Sequence, residues 1–124
     1  MIPTRLHAVA DYLLPAAIAA LSLSPRRGRA TRRIMRVGPV WHYGYTMLTR
    51  YEGGLVPAIG MPTHLACDAV GALGFVGAAA LLQDEPARDR LLLAAIGLGE
   101  LAVIAASRRH PPWDVRATTD GRHR

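Results

Sequence analysis

A histidine followed four residues later by an aspartate occurs twice in this chain, as His7-Ala8-Val9-Ala10-Asp11 and as His64-Leu65-Ala66-Cys67-Asp68, fifty-seven residues apart. Each pair stands near the start of a long apolar run, and Ile2 and Ile59 hold the same register. Residues four apart share one face of a helix. The recurrence predicts an internal duplication, so the chain must be assembled from two copies of one helical unit.

The charges define the rest of the layout. They cluster in Arg26 to Arg36, Asp84 to Arg90 and Arg108 to Arg124, and the chain between is nearly uncharged. Four segments result: Pro3 to about Leu23, about Ala30 to Tyr51, Pro62 to about Leu82, and Ala87 to about Ser107. Some twenty residues at 1.5 Å each cover about 30 Å, the thickness of a bilayer core. Pro3 suits a first helical turn, whereas Pro15 and Pro39 fall inside segments and should free the carbonyls of Asp11 and Met35. Gly71, Gly74 and Gly77 in the third segment are spaced as in helices whose backbones approach closely. Gly53-Gly54 ends the second segment, and Leu55 to Met61 is an apolar connector suited to a membrane surface.

The expected fold is therefore all-α, with four transmembrane helices forming two parallel repeated helical hairpins. Residues 1–110 make the membrane domain, with repeat one over about 2–54 and repeat two over about 59–109, and 111–124 is a disordered polar tail. Each repeat crosses twice, so the second enters from the same side as the first, and a pseudo-two-fold along the membrane normal relates them. Both His/Asp pairs then lie at similar depth.

Composition excludes several functions. Fifteen arginines and no lysine give a net charge of +6, but the arginines flank apolar runs instead of lining a readout face, which argues against nucleic acid as a partner. They divide seven against eight between the two sides of the expected bundle and leave orientation open. Cys67 is the single cysteine, so an intrachain disulfide and a cysteine metal motif are both ruled out. No cleavable signal peptide is expected, since no basic region precedes a short apolar core. Nucleophile-elbow, P-loop and dinucleotide fingerprints are missing, and Gly97-Leu98-Gly99 reads as helix packing; the expectation is a non-enzyme.

Ionisable residues within a membrane are costly, which makes His7, Asp11, His64 and Asp68 an ion or proton site candidate, with Glu100 and His42 as additions. The plainer alternative is structural: histidines at the headgroup level and aspartates near helix N-termini that bridge the two odd-numbered helices. Two His and two Asp also suit a metal, and His7 with His64 could be axial haem ligands, although neither the metal nor a cofactor can be named. Conduction through so few helices would call for a homo-oligomer. Arg50, Tyr51 and Glu52 read as interfacial, Tyr51 as an anchor and Glu52 bridging to Arg50 or Arg5. A soluble four-helix bundle serving as an interaction module is the alternative from another class.

The motifs Ile2-Pro3-Thr4-Arg5-Leu6-His7 with Asp11-Tyr12, Tyr45 to Leu55, and Met61 to Asp68 followed by Gly71 resemble small bacterial integral membrane proteins related to those with SPW repeats, over roughly residues 2–109. That resemblance implies four transmembrane helices from two repeats, in a multi-pass protein of the bacterial cell membrane with the lipid bilayer as its surroundings. It implies no activity. Of the Ser-Pro-Trp triplet only Ser24-Pro25 is present, followed by Arg26, and the second repeat has Leu81-Leu82-Gln83.

Overall fold

A computed structural model of the chain describes residues 1–114. It is an all-helical bundle: α1 spans Thr4–Leu21, α2 Arg29–Met47, α3 Met61–Leu81 and α4 Ala87–Ala106, with a short 3₁₀ turn at Pro112–Asp114. No strand occurs among the described residues. The polar tail expected from residue 111 begins instead with that turn, where Asp114 faces Arg50 at 3.4 Å; residues 115–124 lie outside the described residues.

α1 pairs with α2 and α3 with α4, and α2 also packs on α3. The closest approach is between α3 and α4. A side chain on Gly97 would meet the Ala72 carbonyl oxygen at 2.5 Å and Val76 Cγ2 at 2.7 Å. The glycines expected to make that approach do not: nothing lies within 4 Å of a Cβ built on Gly74 or Gly77, and Gly71 meets only Trp41 at 3.5 Å. A stripe of small residues marks a face that can be approached, but the partner helix chooses which part of it is used.

Ile18, Met35, Phe75, Ala79 and Leu93 form one buried apolar cluster. A second, of Ala8, Tyr51, Met61 and Leu65, closes the end that carries the described termini. Between the two lies a polar layer, described below. Apolar side chains are exposed on every helix, Leu13, Val40, Val70, Leu73, Leu91 and Leu98 among them, beside exposed Arg29, Arg33 and Arg36 on α2 and Arg88 on α4. By length and composition α3 is the one described helix able to cross a membrane. α2 carries Arg29, Arg32, Arg33 and Arg36 in its first half, and α4 carries Arg88, Asp89, Arg90 and Glu100.

Two short parallel backbone pairings tie the hairpins together. Ile2 N donates to Ala106 O (2.6 Å) and Arg108 N to Ile2 O (3.0 Å), while Ile59 N donates to Leu48 O (2.9 Å) and Arg50 N to Ile59 O (2.8 Å). The residue entering α1 thus pairs with the exit of α4, and the residue entering α3 with the exit of α2.

α2 ends at Met47, four residues short of the expected Tyr51. The Thr49 hydroxyl donates to Tyr45 O (2.7 Å), and Leu48 and Arg50 take up the Ile59 pairing, which draws the backbone out of the helix. Gly54 completes the turn where a Cβ would lie 1.7 Å from Thr49 O.

At the opposite end the α3–α4 linker covers the start of α2. Ala30 N and Thr31 N donate to the Glu85 carboxylate (3.2 Å each), as does the Thr31 hydroxyl (2.6 Å). α2 opens with arginines at its positive dipole end, an unfavourable arrangement that this carboxylate offsets. The Thr31 hydroxyl, more than any other neighbour, holds the Glu85 carboxyl below its ordinary range. A lowered value means that its contribution is complete above the unfolded value near 4.5 and is lost as pH falls through the folded one. Glu85→Gln should cost about 1 kcal/mol at neutral pH and little in strong acid, checked by unfolding titrations at both pH values. An equal loss at both would refute the assignment.

A buried histidine and aspartate centre

The polar layer is built from the two His/Asp pairs. Four-residue spacing on α1 sets His7 and Asp11 on one inward face, and the same spacing on α3 does so for His64 and Asp68. All four are buried. The pairs cross: His7 Nε2 lies 3.1 Å from Asp68 and 3.4 Å from Asp11, and His64 Nε2 lies 3.1 Å from Asp11 and 3.4 Å from Asp68. One ligand atom from each residue falls within 4.8 Å of the others.

The outer edges are held by matching groups. His7 Nδ1 contacts Ser107 Oγ at 2.7 Å, just past α4, and His64 Nδ1 contacts Thr49 Oγ1 at 2.8 Å, just past α2. Both hydroxyls donate one turn back, Ser107 to Val103 O (2.6 Å) and Thr49 to Tyr45 O. Tyr51 donates to Asp11 Oδ2 (2.6 Å), Tyr45 to Asp68 Oδ1, and His42 Nε2 lies 3.2 Å from Asp11 Oδ1. Among the described residues no arginine is paired with Asp11 or Asp68; imidazoles and phenols are their only side-chain partners.

Glu100 reaches the same layer from α4. It is 8% exposed and has no hydrogen bond or ion pair among the described residues. With His42 it borders two spaces: a cavity of about 30 Å³ that also touches His7, Asp11 and Asp68, and an open apolar groove of about 430 Å³ between α2 and α3, floored by Pro39 and Phe75. The two imidazoles meet edge to face with centroids 5.3 Å apart and leave no slot for a porphyrin between them.

The three residues expected at the interface separate. Tyr51 is buried and its hydroxyl serves Asp11, because the early end of α2 turns the following loop inward. Burial, together with the Asp11 carboxylate, raises its phenol above the ordinary range and keeps it a donor. Glu52 accepts from the Thr4 hydroxyl (2.9 Å) instead of pairing with Arg5 or Arg50. Arg50 is exposed.

Sequence reading missed Tyr45, Thr49 and Ser107. Thr49 and Ser107 stand fifty-eight residues apart, as do His42 and Glu100, one more than the offset of the His/Asp pairs, so carrying that offset along the even-numbered helices would not have aligned them. Compared with known proteins, the chain matches no family model, no curated protein and no solved structure.

Proposed function

We propose that this is a small, non-enzymatic multi-pass protein of the bacterial cell membrane, similar to SPW-repeat proteins, that holds positive charge in its centre as bound protons or a cation. The observation that carries the reading is the pair of buried carboxylates with no guanidinium beside them among the described residues: their charge falls to imidazolium or to an ion. Exposed apolar side chains on all four helices support a lipid environment. The arginines of α2 occupy its first two turns, from which long side chains reach the headgroup region. The two crossed pairings and the equivalent positions of Ser107 and Thr49 support a duplication.

Full-length protein should stay with carbonate-washed membranes and require detergent for extraction; recovery in the soluble fraction would overturn the membrane reading. Infrared spectra of protein labelled at aspartate should show ionised carboxylates at neutral pH. Carbonyl bands of protonated acids, lost in Asp11→Asn or Asp68→Asn, would overturn the cationic centre.

A further inference from the structure

We propose that the centre is a divalent transition-metal site of the zinc type, with Nε2 of His7, Nε2 of His64 and one carboxylate oxygen each from Asp11 and Asp68 as ligands. This rests on the reading that a positive charge neutralises the carboxylates, and specifies what carries it.

Proton accounting comes first. The Ser107 and Thr49 hydroxyls have one proton each, committed to the carbonyls of Val103 and Tyr45, so towards the histidines they only accept. Nδ1 of His7 and of His64 must therefore carry hydrogen, and both rings present Nε2 to the carboxylates. An Nδ1–H held by an oxygen, leaving Nε2 to the ion, is the usual arrangement of a metal-bound histidine.

His64 separates a lone pair from a second N–H. Its Nε2 is wholly enclosed, lies 3.1 Å from an Asp11 oxygen, and still has no partner in hydrogen-bonding geometry. A proton there would be wasted, whereas a lone pair directed between two carboxylates is a ligand.

Distances agree. Zinc bonds of about 2.0–2.1 Å give a tetrahedron with edges of about 3.3–3.4 Å. The two edges through Asp68 Oδ2 measure 3.1 and 3.4 Å, while Asp11 meets His64 through Oδ2 at 3.1 Å and His7 through Oδ1 at 3.4 Å, so a small rotation of the Asp11 carboxylate brings one of its oxygens to the fourth corner. The wider spans, all within 4.8 Å, close by small side-chain torsions. Asp68 Oδ2 faces both imidazoles while Tyr45 holds Oδ1, and Tyr51 and His42 hold the oxygens of Asp11, so the carboxylates are oriented before an ion arrives. A divalent ion with two carboxylates and two neutral imidazoles is a neutral unit, the least costly form in a low-dielectric bundle. Mixed nitrogen and oxygen donors favour zinc-like ions over calcium or magnesium. The groove and the small cavity, which share His42 and Glu100, provide the entry path.

The test uses tag-free, full-length protein in detergent, loaded with Zn²⁺ and, in parallel, with Co²⁺, and labelled with ¹⁵N at histidine. About one zinc per chain should be retained after dialysis, cobalt should give the intense visible bands of a tetrahedral ion, and His7 and His64 should appear as Nδ1–H imidazoles bound through Nε2. Asp11→Asn and Asp68→Asn should abolish retention. Thr49→Val, which keeps the side-chain shape, should weaken binding about 10–100-fold. No retained metal with both ring nitrogens protonated overturns the metal site and leaves the cationic centre standing; no retained metal with neutral imidazoles overturns both. Metal retained equally by wild type and both asparagine variants also overturns the assignment.

Discussion

Asp68→Ala should destabilise the folded chain by about 3–5 kcal/mol, the largest single effect expected away from the helix contacts. Asp68 has His7 at 3.1 Å, His64 at 3.4 Å and the Tyr45 hydroxyl as partners, all buried. Its loss leaves a phenol without an acceptor and positive charge facing one carboxylate where there were two. Desolvation makes that imbalance far more costly than the pair was worth, because water cannot enter to replace the missing group. Asp11→Ala should behave alike, and the double variant should cost less than the sum, since the charge left behind can then depart. Denaturant or SDS titration of detergent-solubilised protein measures all three. A loss under 1 kcal/mol for Asp68→Ala would show that the layer is not an electrostatic unit.

Gly97→Val should separate α3 from α4 and cost about 3 kcal/mol, the upper end for overpacking. The atoms that a Cβ would meet include Ala72 O at 2.5 Å and Val76 N at 3.0 Å, which belong to the α3 backbone and cannot rotate aside. The helices must move apart, and the movement passes to the polar layer, because Asp68 lies one turn before Ala72 and Glu100 one turn after Gly97. Zinc retention should therefore fall together with stability. Gly74→Ala is the contrast: open space surrounds its Cβ position, and alanine in a helix interior gains about 0.5–1 kcal/mol over glycine. If both variants unfold alike, the close approach at Gly97 is not what holds this hairpin.

The helices could be read closely from the chain because charge clusters and apolar length define them locally; α1, α3 and α4 end within a residue or two of expectation. α2 was read too long because its stop is not local. Leu48 to Tyr51 leave the helix for a pairing with Ile59, and no property of Thr49-Arg50-Tyr51 announces a partner ten residues away. That one difference turned an expected interfacial tyrosine into a buried donor to Asp11.

The centre divides in the same way. Its four main residues were visible through the spacing of four and its recurrence, since helical geometry alone sets His7 with Asp11 and His64 with Asp68 on common faces. The partners were not: Tyr45, Thr49 and Ser107 are uncharged, and nothing in their own surroundings distinguishes them from residues that cap or anchor.

What the sequence by itself determined is the number of helices, their approximate ends and the repeated His/Asp face, because period and charge act over a few residues. Only the tertiary structure decided that each histidine sits closest to the other helix's aspartate, that hydroxyls beyond α2 and α4 meet the outer ring nitrogens, and that Gly97 makes the close contact. Those depend on how the two hairpins are seated against each other, a choice made by the summed packing of all four helices and recorded in no single stretch of chain.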